Sequence, residues 1–315
     1  MNIENEIKVS VCVVTYNQEN YIAECLESLV NQKTNFKFEI IVGEDCSTDS
    51  TRAIVQSYVE KYPDLIVPLF YEKNVGAVEN LKQVYLKAKG KYIAHVDGDD
   101  LALPNKLQKQ FDALEENLDC NICTHNMTRI DKNSIDQKKD WVYKQGIYEL
   151  IDLYEKMPFF AHSSKMLRNK YTKEYWGELL NHAEVLDIEV HVANCIDGNI
   201  IHLDTKLGNY RVDVGVSLVD HKLNPVVVKG KIRVFDFGLD FYRLEKVKYE
   251  KMKKNYAYAL LECAYSYALY ENNVLKFKEY VLKSFKMKFI GALQILFLTG
   301  LIFPIIFFKL LRLKK

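Results

Sequence analysis

Three carboxylates sit at the end of a short apolar run in Lys91–Leu101, KYIAHVDGDDL. Tyr92, Ile93, Ala94 and Val96 have the apolar continuity of a strand buried on both faces, so Asp97, Gly98, Asp99 and Asp100 fall where that strand leaves the core. Carboxylates so close together repel each other. A divalent cation that takes oxygen ligands, Mg2+ or Mn2+, relieves that repulsion most directly. Gly98 is expected to let the backbone bend so that both acids reach one side. The same residues also read as an acidic turn in which Asp99 or Asp100 caps a helix starting near Pro104. What favours the cation is the sequence upstream.

Val9–Val14 (VSVCVV) is an apolar run of strand length, stopped by Thr15, Tyr16 and Asn17. Ile22, Cys25, Leu26, Leu29 and Val30 then recur at helical spacing between Asn20 and Val30, as a helix covering a sheet requires. Phe38–Val42 (FEIIV) is a second buried strand, ending in Glu44 and Asp45, and Ser47-Thr48-Asp49 leads into a helix over Ser50–Tyr62. Leu65–Tyr71 supplies a third strand, Val78–Ala88 a third helix, and Lys91–Val96 the fourth strand. This alternation implies right-handed crossovers and a mostly parallel α/β sheet, whose ligands bind beyond the carboxyl ends of the strands. Thr15 and Asn17, Glu44 and Asp45, and Asp97 and Asp99 all fall at that rim. One such cluster is an ordinary Asx turn; three are harder to explain that way. No GxGxxG or GxxxxGK[ST] is present, so glycine-rich backbone is not what would bind phosphate, and a metal would have to neutralise it.

The 315 residues suffice for a large α/β domain plus an appendage, and 49% hydrophobic residues can fill its core. Lys and Arg number 43 against 42 Asp and Glu, a balance that offers no support for nucleic-acid binding. The acidic, polar opening MNIENEIKVS is not expected to be a secretory signal peptide. Seven irregularly spaced cysteines point to reduced thiols in the cytosol. Cys120 and Cys123 lack the partners of a metal site and read as part of a buried strand.

Taken together, VSVCVVTYNQENYIAECLESLVNQ, FEIIVGEDCSTDST and NVGAVENLKQVYLKAKGKYIAHVDGDD resemble the nucleotide-sugar-binding half of family 2 glycosyltransferases with the GT-A fold. The resemblance is dense over about the first 115 residues and implies a nucleotide-sugar donor, a UDP-sugar foremost. By this similarity Asp45 contacts the nucleobase, Thr15, Asn17 and Glu44 line the same pocket, and Asp97 and Asp99 form the DxD motif. Asp99 is then the direct metal ligand, with Asp97 on the ribose or a metal-bound water. Cys46 stands where the family usually has Gly.

Beyond Lys106, Leu107–Leu118 reads as a helix and Asn121–Arg129 as a strand in which His125 is a hydrogen-bonded strand residue. His162–Met166 reads as a strand near the acceptor side, since no GxSxG turn surrounds its serines. Ser163, Ser164 and Arg168 resemble the stretch preceding the acceptor-site helix in glycosyltransferases that modify surface polysaccharides. In Glu184–Glu189, Val185, Ile188 and Val192 share a buried helix face while Asp187 projects elsewhere. The spacing of Asp187 to Gly198 resembles that of the family's catalytic base; Glu184 is the alternative, and a solvated helix face covers all three acids. Tyr210-Arg211-Val212-Asp213 resembles the YRxH segment that closes the active site, with Asp213 in place of His. The implied reaction is direct displacement: Asp187 takes the proton of an acceptor hydroxyl, base catalysis being worth ~100 to 10,000-fold, and the anomeric configuration inverts. The implied acceptor is a saccharide or lipid-linked oligosaccharide in surface polysaccharide synthesis. A sugar-nucleotide synthesising nucleotidyltransferase would require a glycine-rich phosphate loop, and a non-catalytic membrane-bound scaffold of the same fold is the other alternative.

The domains expected are a GT-A domain over residues 1–225, with a nucleotide half to about 115 and an acceptor half from 116, a helical appendage over 226–288, and a hydrophobic segment over 289–315. Helices are expected over Phe235–Tyr249, Asn255–Tyr270 and Leu275–Lys286, packed on one another through their aromatics. Phe289–Phe308 (FIGALQILFLTGLIFPIIFF) carries no charge. Pro304 leaves about 15 residues of uninterrupted helix, short of the ~17 a span needs. With Lys283, Lys286 and Lys288 before the run and Lys309, Arg312, Lys314 and Lys315 after it, a re-entrant or in-plane anchor on the cytoplasmic face of the membrane is expected.

Overall fold

The computed structural model describes residues 6–172, 174–175, 186–212, 214 and 224–313. Two units are present: Met1–Leu153 with Pro158–Val214, and Tyr154–Met157 with Gly215–Lys315.

In the first unit, β1 (Ile7–Thr15), α1 (Ile22–Val30), β2 (Lys37–Glu44), α2 (Thr51–Lys61), β3 (Ile66–Phe70), α3 (Ala77–Lys87) and β4 (Tyr92–Asp97) alternate as the apolar periodicity requires. Val9, Val11, Val13, Ile40, Val42, Ala94 and Val96 form the sheet's contribution to the core, against Ile22, Leu26 and Leu29 of α1. Burial of each such Val, Ile or Leu contributes roughly 1.5–3 kcal/mol. Ser10 is a polar residue in the middle of β1, and it is satisfied: its hydroxyl donates to Glu39 (2.7 Å) and accepts the amides of Lys89 (3.0 Å) and Gly90 (2.8 Å).

The sheet continues through β5 (Leu101–Ala102), β6 (Cys120–Ile130), β7 (Gly146–Tyr148), β8 (Met166–Arg168) and β9 (Asn199–Arg211), with α4 (Lys106–Glu116), α5 (Leu150–Glu155) and α6 (Asp187–Asn194) between them. Its order is β3-β2-β1-β4-β8-β6-β9-β5, with β7 pairing to β9. The pairs β1–β2, β1–β4, β2–β3 and β6–β9 are parallel; β8 runs antiparallel to both β4 and β6. The sheet is therefore mixed, mostly parallel in its nucleotide half. His162–Ser164 is a 3-10 turn, not the strand expected there, and only Met166–Arg168 pairs. The Ser164 hydroxyl donates to the Ala161 carbonyl (2.7 Å), which holds that turn closed. Cys120 and Cys123 are buried in β6, and all seven cysteines are free. His125 bonds the Asn126 carbonyl through Nδ1 (2.9 Å).

The second unit is helical: α7 (Pro225–Phe241), α8 (Lys246–Ser266) with a π turn over Tyr267–Glu271, α9 (Val274–Met287), α10 (Ala292–Ile302) and α11 (Pro304–Leu313). The first helix starts ten residues before the expected Phe235, because Asn224 accepts the Val226 amide (2.9 Å) and Pro225 takes the first helical position, and it ends at Phe241, so a turn over 242–245 divides the helix expected over Phe235–Tyr249. Pro304 likewise opens α11, so the uncharged run is two short helices. Among the described residues, no helix is long and apolar enough to cross a membrane.

Candidate active site

The strand order reverses between β1 and β4, where the chain crosses from β3 back past β1; open α/β sheets bind ligands at such a switch point. Parallel register fixes what stands there. Thr15 of β1 lies opposite Glu44 of β2, and Val14 lies opposite Asp97 of β4. The Asp45 amide bonds the Thr15 carbonyl (3.1 Å) and the Gly98 amide bonds the Val14 carbonyl (3.0 Å), carrying the pairing into the loops.

Thr15, Glu44 and Asp45 are buried under this rim and Asn17 is exposed on it. Asn17 has a positive φ of 50°, its side-chain oxygen accepts the Thr48 amide (2.8 Å), and its own amide donates to Ser47 (3.0 Å). Glu44, expected to line the pocket, instead faces inward with no exposed surface. It accepts the Ser47 amide (2.7 Å) and pairs with Arg52, since a carboxylate this deep must be hydrogen-bonded and paired. The Asp45 carboxylate accepts the Val75 (2.6 Å) and Gly76 (3.0 Å) amides, which leaves lone pairs on both oxygens. Cys46 has φ +56°, a left-handed conformation that favours glycine.

Beyond β4 the acids crowd. The Asp97 carboxylate meets His95 Nε2 (3.1 Å) and accepts the Ser163 hydroxyl (3.1 Å), while the Asp97 amide also donates to Ser163 Oγ (2.9 Å). Burial opposes its ionisation, but His95, Lys165 and the Ser163 hydroxyl outweigh it and hold the carboxyl below its ordinary value. Asp99 is pushed up to about 6 by burial and by the charge of Asp97, and Asp100 rises well above its usual range for the same reasons together with Asp99. Asp100 accepts the Arg211 amide (2.8 Å) through one oxygen; the other is buried without a hydrogen-bond partner. The helix-capping alternative is not seen, because α4 begins after Asn105 and has no side-chain cap. Gly98 matters for space rather than for a special φ: a Cβ there would meet Gln18 Oε1 at 2.4 Å and Thr15 Cβ at 2.8 Å.

Arg211 at the end of β9 fixes this turn. Its side chain donates to the Asp99 carbonyl (2.9 Å), the Asp131 carbonyl (2.9 Å), Ser134 (3.0 Å) and Glu24 (2.9 Å), and its guanidinium lies 4.6 Å from the Tyr21 ring centroid. Asp213 and Glu184 lie outside the described residues.

Asp187 opens α6, where a helix N-terminus favours negative charge. Glu189 reaches back to accept the Leu186 amide (2.8 Å), and Ile188 and Val192 are buried as expected. The Asp187 side chain is 46% exposed, and one oxygen lies 3.7 Å from His162 Nδ1. Behind them is a cluster of bases from stretches far apart along the chain. Lys165, with no exposed surface, places Nζ 2.7 Å from His162 Nδ1 and 3.3 Å from His191 Nε2. The rings of His162 and His95 are 4.1 Å apart. Burial brings Lys165 down to about 7 and His95 to about 4, and takes His162 and His191 well below 6.5. Burial raises Asp187, and Lys165 opposes that rise. Through His162, Asp187 is thus linked to the residues that hold Asp97. His191 follows Asp187 by four residues, so the two share a helix side, the one sequence signal that could have paired them.

Two sets of residues offer donors to a divalent cation. His95, Asp97 and His162 offer ligand atoms within 4.8 Å of one another, yet the Lys165 nitrogen at 2.7 Å from His162 competes there for the imidazole lone pair. The oxygens of Asp97 and Asp99 are hard donors whose mutual repulsion a cation would relieve. The raised Asp99 and the partnerless Asp100 oxygen are what an acidic turn short of positive charge looks like.

Glycosyl transferase family 2 matches residues 10–176. An uncharacterized protein of Mycobacterium tuberculosis is 30% identical over 207 residues, covering 64% of this chain and 58% of its own length. The poly(ribitol-phosphate) beta-N-acetylglucosaminyltransferase TarS of Staphylococcus aureus is 31% identical over 183 residues, 56% of this chain and 31% of TarS. The chain spans little more than half the length of the first of these relatives, and less of TarS. The crystal structure of S. aureus TarS 1–349 in complex with UDP-GlcNAc superposes with a TM-score of 0.59 at 18% identity, covering 89% of this chain and 81% of that one; at that identity the likeness is one of fold. The family match takes in β1 to β8 and with them every rim residue from Thr15 to Lys165, so this chain belongs to glycosyl transferase family 2.

Proposed function

We propose that the chain is an inverting glycosyltransferase that moves a sugar from a UDP-sugar to a hydroxyl of a saccharide or lipid-linked oligosaccharide in surface polysaccharide synthesis. The observation that carries this reading is the link from Asp187 through His162 to the residues holding Asp97. It supports reading Asp187 as the base and the acidic turn as the cation's holder within one site. The TarS relative, named for poly(ribitol-phosphate) and N-acetylglucosamine, and its UDP-GlcNAc complex support the donor and acceptor classes.

In this reading the nucleotide occupies the rim of β1, β2 and β4. Asn17 and the spare lone pairs of Asp45 face the nucleoside, with Thr15 and Glu44 holding the loops in shape. Asp99, with Asp97, would hold Mn2+ or Mg2+, which supplies neutralisation of the negative charge that grows on the departing diphosphate. Asp187, half in water at the start of α6, accepts the proton of the acceptor hydroxyl. Lys165 opposes the rise that desolvation imposes on its carboxyl, and the helix N-terminus adds to that effect. Attack from the base side on a donor whose diphosphate leaves from the opposite face inverts the anomeric carbon.

NMR of the product tests this directly: an α-linked donor should yield a β-linked product, and retained configuration excludes the mechanism. Asp187→Asn should lower turnover ~100 to 10,000-fold while UDP still raises the melting temperature. Full turnover in that variant would remove Asp187 from the base role.

A further inference from the structure

α10 and α11 form a helical pair with two unlike sides. On the inner side, Phe297, Phe307 and Phe308 close on Phe277 of α9, with ring centroids 6.0, 5.6 and 5.1 Å away. Gly300 permits this approach, since a Cβ there would stand 2.7 Å from Phe277 and Phe307 atoms. Gln294 is fully buried on the same side, donating to Ser284 (2.8 Å) and the Lys288 carbonyl (2.8 Å) and accepting the Ile290 amide (2.7 Å). The pair is therefore fastened to α9. On the outer side, Ile302 is 71% exposed, Phe303 61%, Ile305 69% and Ile306 60%, with Leu296 and Leu310 also outward. Thr299 is the polar residue on the outer side of α10, and its hydroxyl is spent on the Leu296 carbonyl (2.7 Å).

An apolar face this continuous calls for a partner. Charge selects which. From Tyr280 to Lys315 the sequence has seven Lys and Arg, three before the apolar run and four after it, and no Asp or Glu; Lys283 and Lys288 pair with Glu279 and Glu250 (both 2.7 Å), so the surplus positive charge rests on Lys286 and the four residues after the run. A second copy docked by two-fold symmetry would bring these like-charged flanks together. An anionic lipid surface complements them.

We propose that the outer face of α10 and α11 docks in the plane of an anionic bilayer leaflet, its isoleucines and Phe303 in the acyl region and its basic flanks among the headgroups. Neither helix needs to cross, and the inner side stays packed on α9. Peripheral amphipathic helices bind by this combination of apolar area and lysine charge.

Sedimentation of the full chain with vesicles tests it. The chain should pellet with vesicles of equal parts phosphatidylglycerol and phosphatidylcholine, and less with phosphatidylcholine alone. Ile305→Glu/Ile306→Glu should lower the bound-to-free ratio about tenfold or more, and Lys286→Gln/Lys309→Gln should weaken binding to the anionic vesicles only. Since the glutamates are placed on exposed positions, circular dichroism melting should be unchanged. Fluorescence of a Phe303→Trp variant should be quenched by brominated lipid. The proposal is overturned if the chain stays in the supernatant with both vesicle types, or if the Phe303→Trp emission ignores brominated lipid. It is equally overturned if light scattering shows a dimer that Ile305→Glu/Ile306→Glu splits while vesicle binding is unaltered.

Discussion

His162 Nδ1 lies 3.7 Å from an Asp187 oxygen and 2.7 Å from Lys165 Nζ, so a buried amine and a half-exposed carboxylate meet across one imidazole. Burial raises the Asp187 carboxyl and Lys165 opposes it. Lys165→Met removes the opposing charge, and the Asp187 pKa should climb. The acid limb of kcat/KM against pH should then move to higher pH. Once Asp187 is ionised in both enzymes, the alkaline plateaus should agree. Lys165→Arg, which keeps the charge, should retain the original limb. An equal loss at every pH would mean that Lys165 serves packing alone.

Asp99, raised to about 6, competes for its proton with any cation it binds. The melting-temperature gain from Mn2+ with UDP should be small below pH 6 and grow as pH rises through that value. Without metal the sign is opposite. A carboxyl whose folded pKa is raised contributes stability at low pH and loses it as pH climbs from its unfolded value through about 6. Asp99→Asn should therefore stabilise the metal-free protein near pH 7.5 by on the order of 1 kcal/mol and abolish the Mn2+ response. An Mn2+ response that survives in the variant would take the cation away from Asp99.

Arg211 has no exposed side-chain surface and four side-chain hydrogen-bond partners. Arg211→Ala should cost about 1–3 kcal/mol, because the Asp99 carbonyl in its buried turn loses its charged hydrogen-bond donor. Chemical denaturation measures it. Because Arg211 holds the Asp99 carbonyl and Asp100 accepts its amide, affinity for UDP with Mn2+ should fall as well, even at temperatures where the variant is folded.

Cys46 at φ +56° carries a Cβ where one is strained by roughly 1 kcal/mol. Glycine removes that strain but gains freedom in the unfolded chain. Cys46→Gly should thus raise stability by about 0.5 kcal/mol in a denaturant titration. A drop would mean that the thiol contact to the Glu72 carbonyl at 3.5 Å outweighs the strain.

The first hundred residues were readable because their signal is local. Apolar runs of strand length each end in polar residues, and parallel pairing alone then aligns Thr15, Glu44 and Asp97. The base cluster was not readable, since His95, His162, Lys165 and His191 come from three elements whose meeting depends on β8 entering antiparallel beside β4. Nothing near Lys165 marks it as buried, and a lysine is ordinarily a surface residue. The role of Arg211 was hidden for a similar reason: its partners Glu24, Asp99 and Asp131 are spread over more than a hundred positions. The inward turn of Glu44 follows from Arg52, eight residues on, a pairing that spacing alone does not single out.

Asp97 is fastened from two directions, by His95 on its own strand and by Ser163 from the turn before β8. Replacing it with alanine therefore unpicks a seam between the two halves of the sheet as well as removing a ligand. Inactivity in such a variant is ambiguous until Ser163→Ala, which cuts the same seam and leaves the carboxylate, has been assayed beside it.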